Sequence, residues 1–299
     1  MRQRLKFFGL VFLFLFSFVF FFYVTFPTPV LKQAAVGALR EQAGLELKVE
    51  DMSIHFPLGV SAYGVVLGSK AGAVGFKKIN FYVQSWRLFL GRIVLQAEII
   101  DDRGGILEGD VRIKLLDLIQ GNFELAYLEL SADKFSLQAP TAYALGQVSS
   151  QSQFGSLLSE MSVQGLLNGF IQMDMGAGDP QDWQGDMKLD IAKGKLVFKP
   201  TVGFPEQVFK TAGIQGVLEK GTLSFMKGSG FDASDVKLLM SGQIGFKSPM
   251  ERSNMSLNID LELDEQYAWI ADAAAQRATR GKLSIQAKGS MFSPRVDFY

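Results

Sequence analysis

"GLELKVEDMSIHFP", residues 44–57, is where the chain changes period, and that change decides the fold class. Leu45, Leu47 and Val49 alternate with Glu46, Lys48 and Glu50, the pattern of a strand with one buried and one wet face. Immediately before it, Leu31, Ala34, Ala35, Ala38 and Leu39 recur at helical spacing, and Gly44 is placed to end that helix. Period-two segments then follow at 60–67, 76–84, 93–99, 105–114 and 123–130, with Gly, Asp and Asn at the connections. "IDDRGG", from Ile100, reads as a hairpin turn between two of them. Residues 85–90 are read as a helical turn released at Gly91.

Further on, residues 139–161 lose the alternation and contain "SSQSQFGSLLSEM", polar and poor in β-branched residues. They are read as a helical crossover between a first β region, 45–138, and a second, 162–299. The second region carries a recurrent unit, "GKLVF" at Gly194, "GTLSF" at Gly221 and "GKLSI" at Gly281, with looser versions "GDMKLDI" at Gly185 and "GQIGF" at Gly242. In each close copy the glycine is expected to open a strand whose third and fifth residues share a face. Leu196, Phe198, Leu223, Phe225, Leu283 and Ile285 are therefore candidates for one apolar surface. One helix interrupts the strands at 264–278, with Tyr267, Ile270, Ala271, Ala274 and Ala278 along one side. "SPRVDFY" at the carboxy end reads as a last edge strand; a lipid-facing barrel strand is the alternative, set against by Lys and Asp on the outer faces of other strands.

A sheet that alternates this evenly, with few helices to cover it, must bury its apolar face against something. A second sheet, closure into a barrel, or curvature into a trough filled by lipid chains would each do so.

Upstream, ten of the twenty residues from Phe7 to Phe26 are phenylalanine and none is charged. Twenty helical residues at about 1.5 Å each span roughly 30 Å, the hydrocarbon thickness of a bilayer. Arg2, Arg4 and Lys6 precede the span, which keeps a short tail, residues 1–6, in the cytoplasm and sends the rest outward. The stretch ends in Tyr23, Phe26, Pro27 and Pro29 without a small-x-small site, and Ala35-Val36-Gly37 is a poor substitute, so the expectation is a retained transmembrane helix at 7–26 and a juxtamembrane helix at 27–44.

Composition narrows the chemistry. The 299 residues hold 30 basic and 30 acidic side chains, which gives no net field to attract nucleic acid. There is no cysteine, which removes disulfides and thiolate catalysis, and a single histidine, which removes His-based zinc clusters. That histidine, His55, reads as a residue on a sheet face or turn. Walker A, G-x-S-x-G and G-x-G-x-x-G sequences are all missing. Asp174, Asp179, Asp182, Asp186 and Asp190 crowd "DMGAGDPQDWQGDMKLD" without the spacing of a calcium loop. Pro180 and Gly185 suggest turns there, with Asp186 and Asp190 on a wet face. The reading is of a non-enzymatic protein with no cofactor and no metal.

"ALREQAGLELKVEDMSIHFPLGVSAYGVVLGSKAG", followed by "SWRLFLGRIVLQAEIIDDRGGILEG", resembles the AsmA-like family at Gly44, Pro57, Leu58, Gly59, Leu88, Gly91 and Arg92. The tail from Gly221 to Leu263 is most similar to the protein N (GspN) family of the type II secretion system. This resemblance implies an inner-membrane protein whose periplasmic body is a curved antiparallel sheet with an apolar groove. It implies secretion-system subunits as partners, or phospholipid as a ligand if the groove serves lipid transfer. The chain is short beside large AsmA-like proteins, so one copy is not expected to bridge a periplasm.

Overall fold

The computed structural model describes residues 17, 28–30, 32–33, 36–37, 46–55, 59–69, 72–84, 87, 92–114, 125–142, 161–176, 179–198, 205–275, 280–291 and 293–299. The expected span at 7–26 (Ser17 apart), the positions Gly44, Pro57, Leu58, Leu88 and Gly91, and the crossover from 143 to 160 lie outside them. Among the described residues no helix is long and apolar enough to cross a membrane.

Alternation becomes strand nearly everywhere it was expected. The first half supplies β1 (Glu46–Lys48), β2 (Asp51–His55), β3 (Gly59–Ser69), β4 (Gly72–Val83), β5 (Arg92–Ile100), β6 (Ile106–Lys114) and β7 (Leu125–Ser136). The second half supplies β8 (Met161–Asp174), β9 (Gln184–Phe198), β10 (Gln207–Val208), β11 (Thr211–Glu219), β12 (Thr222–Phe225), β13 (Gly230–Asp232), β14 (Val236–Gly245), β15 (Asn254–Leu263), β16 (Lys282–Ser290) and β17 (Ser293–Phe298). All 17 strands belong to one sheet, so the apolar face has no second sheet against it among the described residues. Helix is scarce among the described residues. Residue 17 is helical, as are 28–30, 32–33 and 36–37, which fall within the expected juxtamembrane helix, and 87, which falls within the expected turn at 85–90. Beyond them come a turn at 138–142, short 3-10 turns, and α1 (Ala268–Ala275), which follows the 3-10 turn Glu265–Tyr267. Ala271 of α1 is fully buried.

Pairing is antiparallel and follows chain order. β3 through β9 each pair with the next strand, and β14 through β17 do the same. Between these runs the ladder is interrupted. β10 and β11 both pair with β9, β12 and β13 both pair with β11, and both then pair with β14. β1 and β2 likewise share β3. Because β7 pairs with β8 from Tyr127↔Asp174 to Ser136↔Leu166, the two β regions join into one sheet across the crossover. Among the described residues β17 pairs with β16 alone, as expected of an edge strand.

Directly opposed residues of neighbouring strands point to the same face, so the register can be followed across the sheet. One row runs Ile54, Val60, Phe81, Ala97, Gly109, Leu130, Ile171. It continues through Met187, Gly216, Phe225, Gly242, Leu257, Ala287 and Val296, without one polar side chain. The adjacent row on the other face runs His55, Gly59, Tyr82, Gln96, Asp110, Glu129, Gln172, Asp186, Val217, Ser224, Gln243, Ser256, Lys288 and Arg295, polar at all but Gly59 and Val217. From β2 to β17 the described strands make one two-sided sheet with an apolar side.

Two glycine expectations separate here. Gly221 follows Lys220 in a two-residue turn between β11 and β12, both at positive φ (69° and 48°), the geometry that suits the right-handed twist of a hairpin. A Cβ on Gly221 would lie 2.2 Å from the Pro180 carbonyl oxygen. Gly194 does not open a strand: it lies inside β9, and Gly185 likewise sits within that strand instead of in a turn. Gly194 marks a bulge, where Ala192 and Lys195 of β9 pair with Leu166 and Gln164 of β8. Lys193 takes up the extra residue at φ 51°.

Candidate functional site

Each of the six sequence-derived candidates falls on the apolar face. Leu223 opposes Leu218 and Ile244, Phe225 opposes Gly216 and Gly242, and Leu283 and Ile285 oppose Leu261 and Ile259. Leu196 and Phe198 oppose Val163 and Met161. They reach this face only because of the β9 bulge. Counting in twos from Ile191 without the extra residue would send both to the polar side. Leu196 and Leu283 are buried, while Phe198, Leu223, Phe225 and Ile285 stay half-buried.

Leu196 and Phe198 line a cavity of about 620 Å³ on this face, whose wall runs from β8 to β15 and includes Val163, Phe209, Phe231 and Leu261. Its wall is apolar apart from Thr141, whose hydroxyl lies 2.6 Å from the Leu137 carbonyl oxygen and 3.0 Å from that of Val163. Phe209 and Phe231 stack with ring centroids 4.9 Å apart in the wall. The remaining four candidates share the face but lie outside this cavity. Sequence reasoning missed Val163, whose alternation was legible in "MSVQGLL". It also missed Phe209, which follows the two-residue strand β10 and carries no periodic signal.

Beside the cavity, fully buried Gln207 fixes the turn before β14. Its Nε2 donates to Asp235 Oδ2 at 2.8 Å, and its Oε1 accepts from the Asp235 backbone N–H at 2.9 Å. The pair joins β10 to the β13–β14 turn where no backbone ladder does so.

The polar side contains what the sequence assigned to it. His55 Nε2 lies 2.7 Å from Ser61 Oγ, Ser61 donates to Asn80 Oδ1 at 2.5 Å, and Asn80 Nδ2 donates to Glu98 Oε2 at 2.5 Å. Since the Ser61 proton goes to Asn80, His55 is the donor to Ser61, and the imidazole carries its proton on Nε2. Ser61 and Asn80 are buried at 0% and 1% exposure, so the chain of bonds ties four strands together and offers no accessible nucleophile. In the aspartate-rich segment, Asp179 Oδ1 accepts from the Gln181 N–H at 3.0 Å and caps the 3-10 turn Pro180–Asp182. Asp186 and Asp190 stand exposed on the polar face of β9. Among the described residues no three His, Cys, Asp or Glu side chains are grouped to hold a metal ion. Arg92 opens β5 and Gly59 opens β3.

No protein-family model, curated protein or solved structure matches the chain.

Proposed function

We infer that this chain is an inner-membrane-anchored, non-enzymatic envelope protein that holds acyl chains against the apolar side of a curved sheet. The observation that carries this reading is the cavity of about 620 Å³ on an apolar face that, among the described residues, no second sheet covers. A space of that size falls within the range of small-ligand sites, and a wall without available polar groups selects hydrocarbon over any hydrogen-bonding ligand. Half-buried Phe198, Phe225 and Ile285 on the same face support a surface meant to be covered by something other than its own core.

An accessory role in type II secretion rests on the sequence resemblance and fits the same molecule as the setting in which it would act. The two roles part on one measurement. Mass spectrometry of the detergent-extracted full chain is expected to find phospholipid or fatty acid at near-stoichiometric level. Protein subunits captured with a lipid-free chain would refute acyl binding and leave the secretion role as the function.

A further inference from the structure

The apolar cavity has a floor that can be traced residue by residue. Leu167 of β8 opposes Ile191 of β9, and the pair Asp190↔Gly213 puts Ala212 of β11 in step with Ile191. Ala212 opposes Phe231 of β13, Phe231 opposes Leu238 of β14, and Leu238 opposes Leu261 of β15. These side chains form one row across the strands, and all of them line the cavity and are half-buried. The row continues past the cavity on both sides: Phe135 of β7 opposes Leu167, and Leu283 of β16 opposes Leu261. Phe135 and Leu283 are each 4% exposed, so the uncovered stretch is closed at both ends by a side chain packed into the protein.

Length and volume lead to the same occupant. From β8 to β15 the row takes five inter-strand steps, which at about 4.8 Å each make about 24 Å. An extended hydrocarbon with bonds of about 1.5 Å at tetrahedral angles advances about 1.25 Å per carbon, so about 19 carbons cover the row. A methylene is close in size to a water molecule, whose share of liquid volume is about 30 Å³, so the cavity of about 620 Å³ holds about 20 of them. Two chains of that length would need twice the space. We propose that the cavity is a ruler for a single acyl chain of up to about 20 carbons, laid across the strands between Phe135 and Leu283 with its head outside. This rests on the acyl-binding reading above and adds chain number, direction and length to it. A free fatty acid and a monoacyl phospholipid present the same chain.

The test titrates the full-length chain, delipidated and held in amphipol, with saturated fatty acids from octanoic to tetracosanoic and with monoacyl phosphatidylethanolamines of the same lengths. Affinity is read by displacement of a fluorescent fatty-acid analogue, and stoichiometry by native mass spectrometry. Affinity is expected to rise about fourfold per methylene and to level off at about 18–20 carbons, with a single chain bound per protein. Ala212 lies two steps from β8 and three from β15. A ring there divides the row, so Ala212→Phe should bring the plateau down to about 8–12 carbons. Ala212→Leu should shift it the same way with less disturbance, and circular dichroism on the same samples shows that the variants are folded. Binding of the fatty acids alone would support the ruler with a free acid as the source, and binding of both series would support it with a phospholipid tail. Affinity that climbs through the longest chain, two chains per protein, or an equal loss at every length in the folded variants would overturn the ruler and leave acyl binding standing. Retention of diacyl phospholipid alone would do the same. Binding of none of these lipids would overturn acyl binding itself, and the ruler with it.

Discussion

A carboxylate introduced at two positions of the apolar face separates a cavity open to a ligand from a closed core. Leu218 is 2% exposed and packs opposite Leu223 and Gly185, outside the cavity. Leu218→Asp forfeits about 1.5–3 kcal/mol of side-chain burial. It also leaves a buried carboxyl that, even protonated, is short of a partner at about 1–3 kcal/mol more. The total, about 3–6 kcal/mol, is a large share of the 5–15 kcal/mol typical of a folded domain. Phe198 is half-buried and lines a cavity of about 620 Å³. Each water takes up about 30 Å³, so Phe198→Asp can be hydrated in place. Its expected cost is about 1–2 kcal/mol, from loss of part of the ring's burial. The assay is urea unfolding of the full chain in detergent, followed by far-ultraviolet circular dichroism, with lipid content measured on the same samples. Leu218→Asp should lower the midpoint by at least about 1 M or prevent folding. Phe198→Asp should fold and lose its lipid. Equal, large losses of stability at both sites would show that Phe198 belongs to a filled core, and normal lipid content in folded Phe198→Asp would show that the ligand does not use this cavity.

Other consequences are local. Gly221→Ala should lower stability by about 1–3 kcal/mol, because a Cβ would strain the positive φ and meet the Pro180 carbonyl; a thermal melt unchanged within error would refute the turn assignment. Buried Asp101 accepts the backbone N–H groups of Arg103 and Gly105 at 2.8 Å and of Ser136 at 2.6 Å, so Asp101→Ala should cost about 2–4 kcal/mol in denaturant unfolding and Asp101→Asn less. Asn80→Leu should cost about 1–3 kcal/mol by stranding Ser61 and Glu98, whereas a neutral result would mean that the His55–Glu98 chain of bonds is replaced by water. A periplasm-active reporter fused after Tyr299 should be active on a protein that still begins near Met1; an amino terminus near residue 38 would remove the retained anchor.

Much of this protein is local physics and was therefore legible in the residues alone. Alternation in "LELKV" and its successors set the strand class, since a period of two suits only a pleated chain with unlike sides. "IDDRGG" announced its hairpin, and the helix begun at Asp264 appears as a 3-10 turn leading into Ala268–Ala275. Membership of one face was also local for residues two apart, such as Leu223 with Phe225 or Leu283 with Ile285. Which face those pairs share with distant strands was not local. It depends on register, and a single extra residue inverts every side chain beyond it. The bulge at Lys193 and Gly194 is such a residue: it turns Leu196 and Phe198 from the polar side toward Ile191, Phe231 and Leu261, and with them creates the cavity. Sequence determined that there would be an apolar surface and which side chains would be available for it. Only the pairing of strands across the whole sheet decided that the surface is continuous and where it leaves room for a ligand.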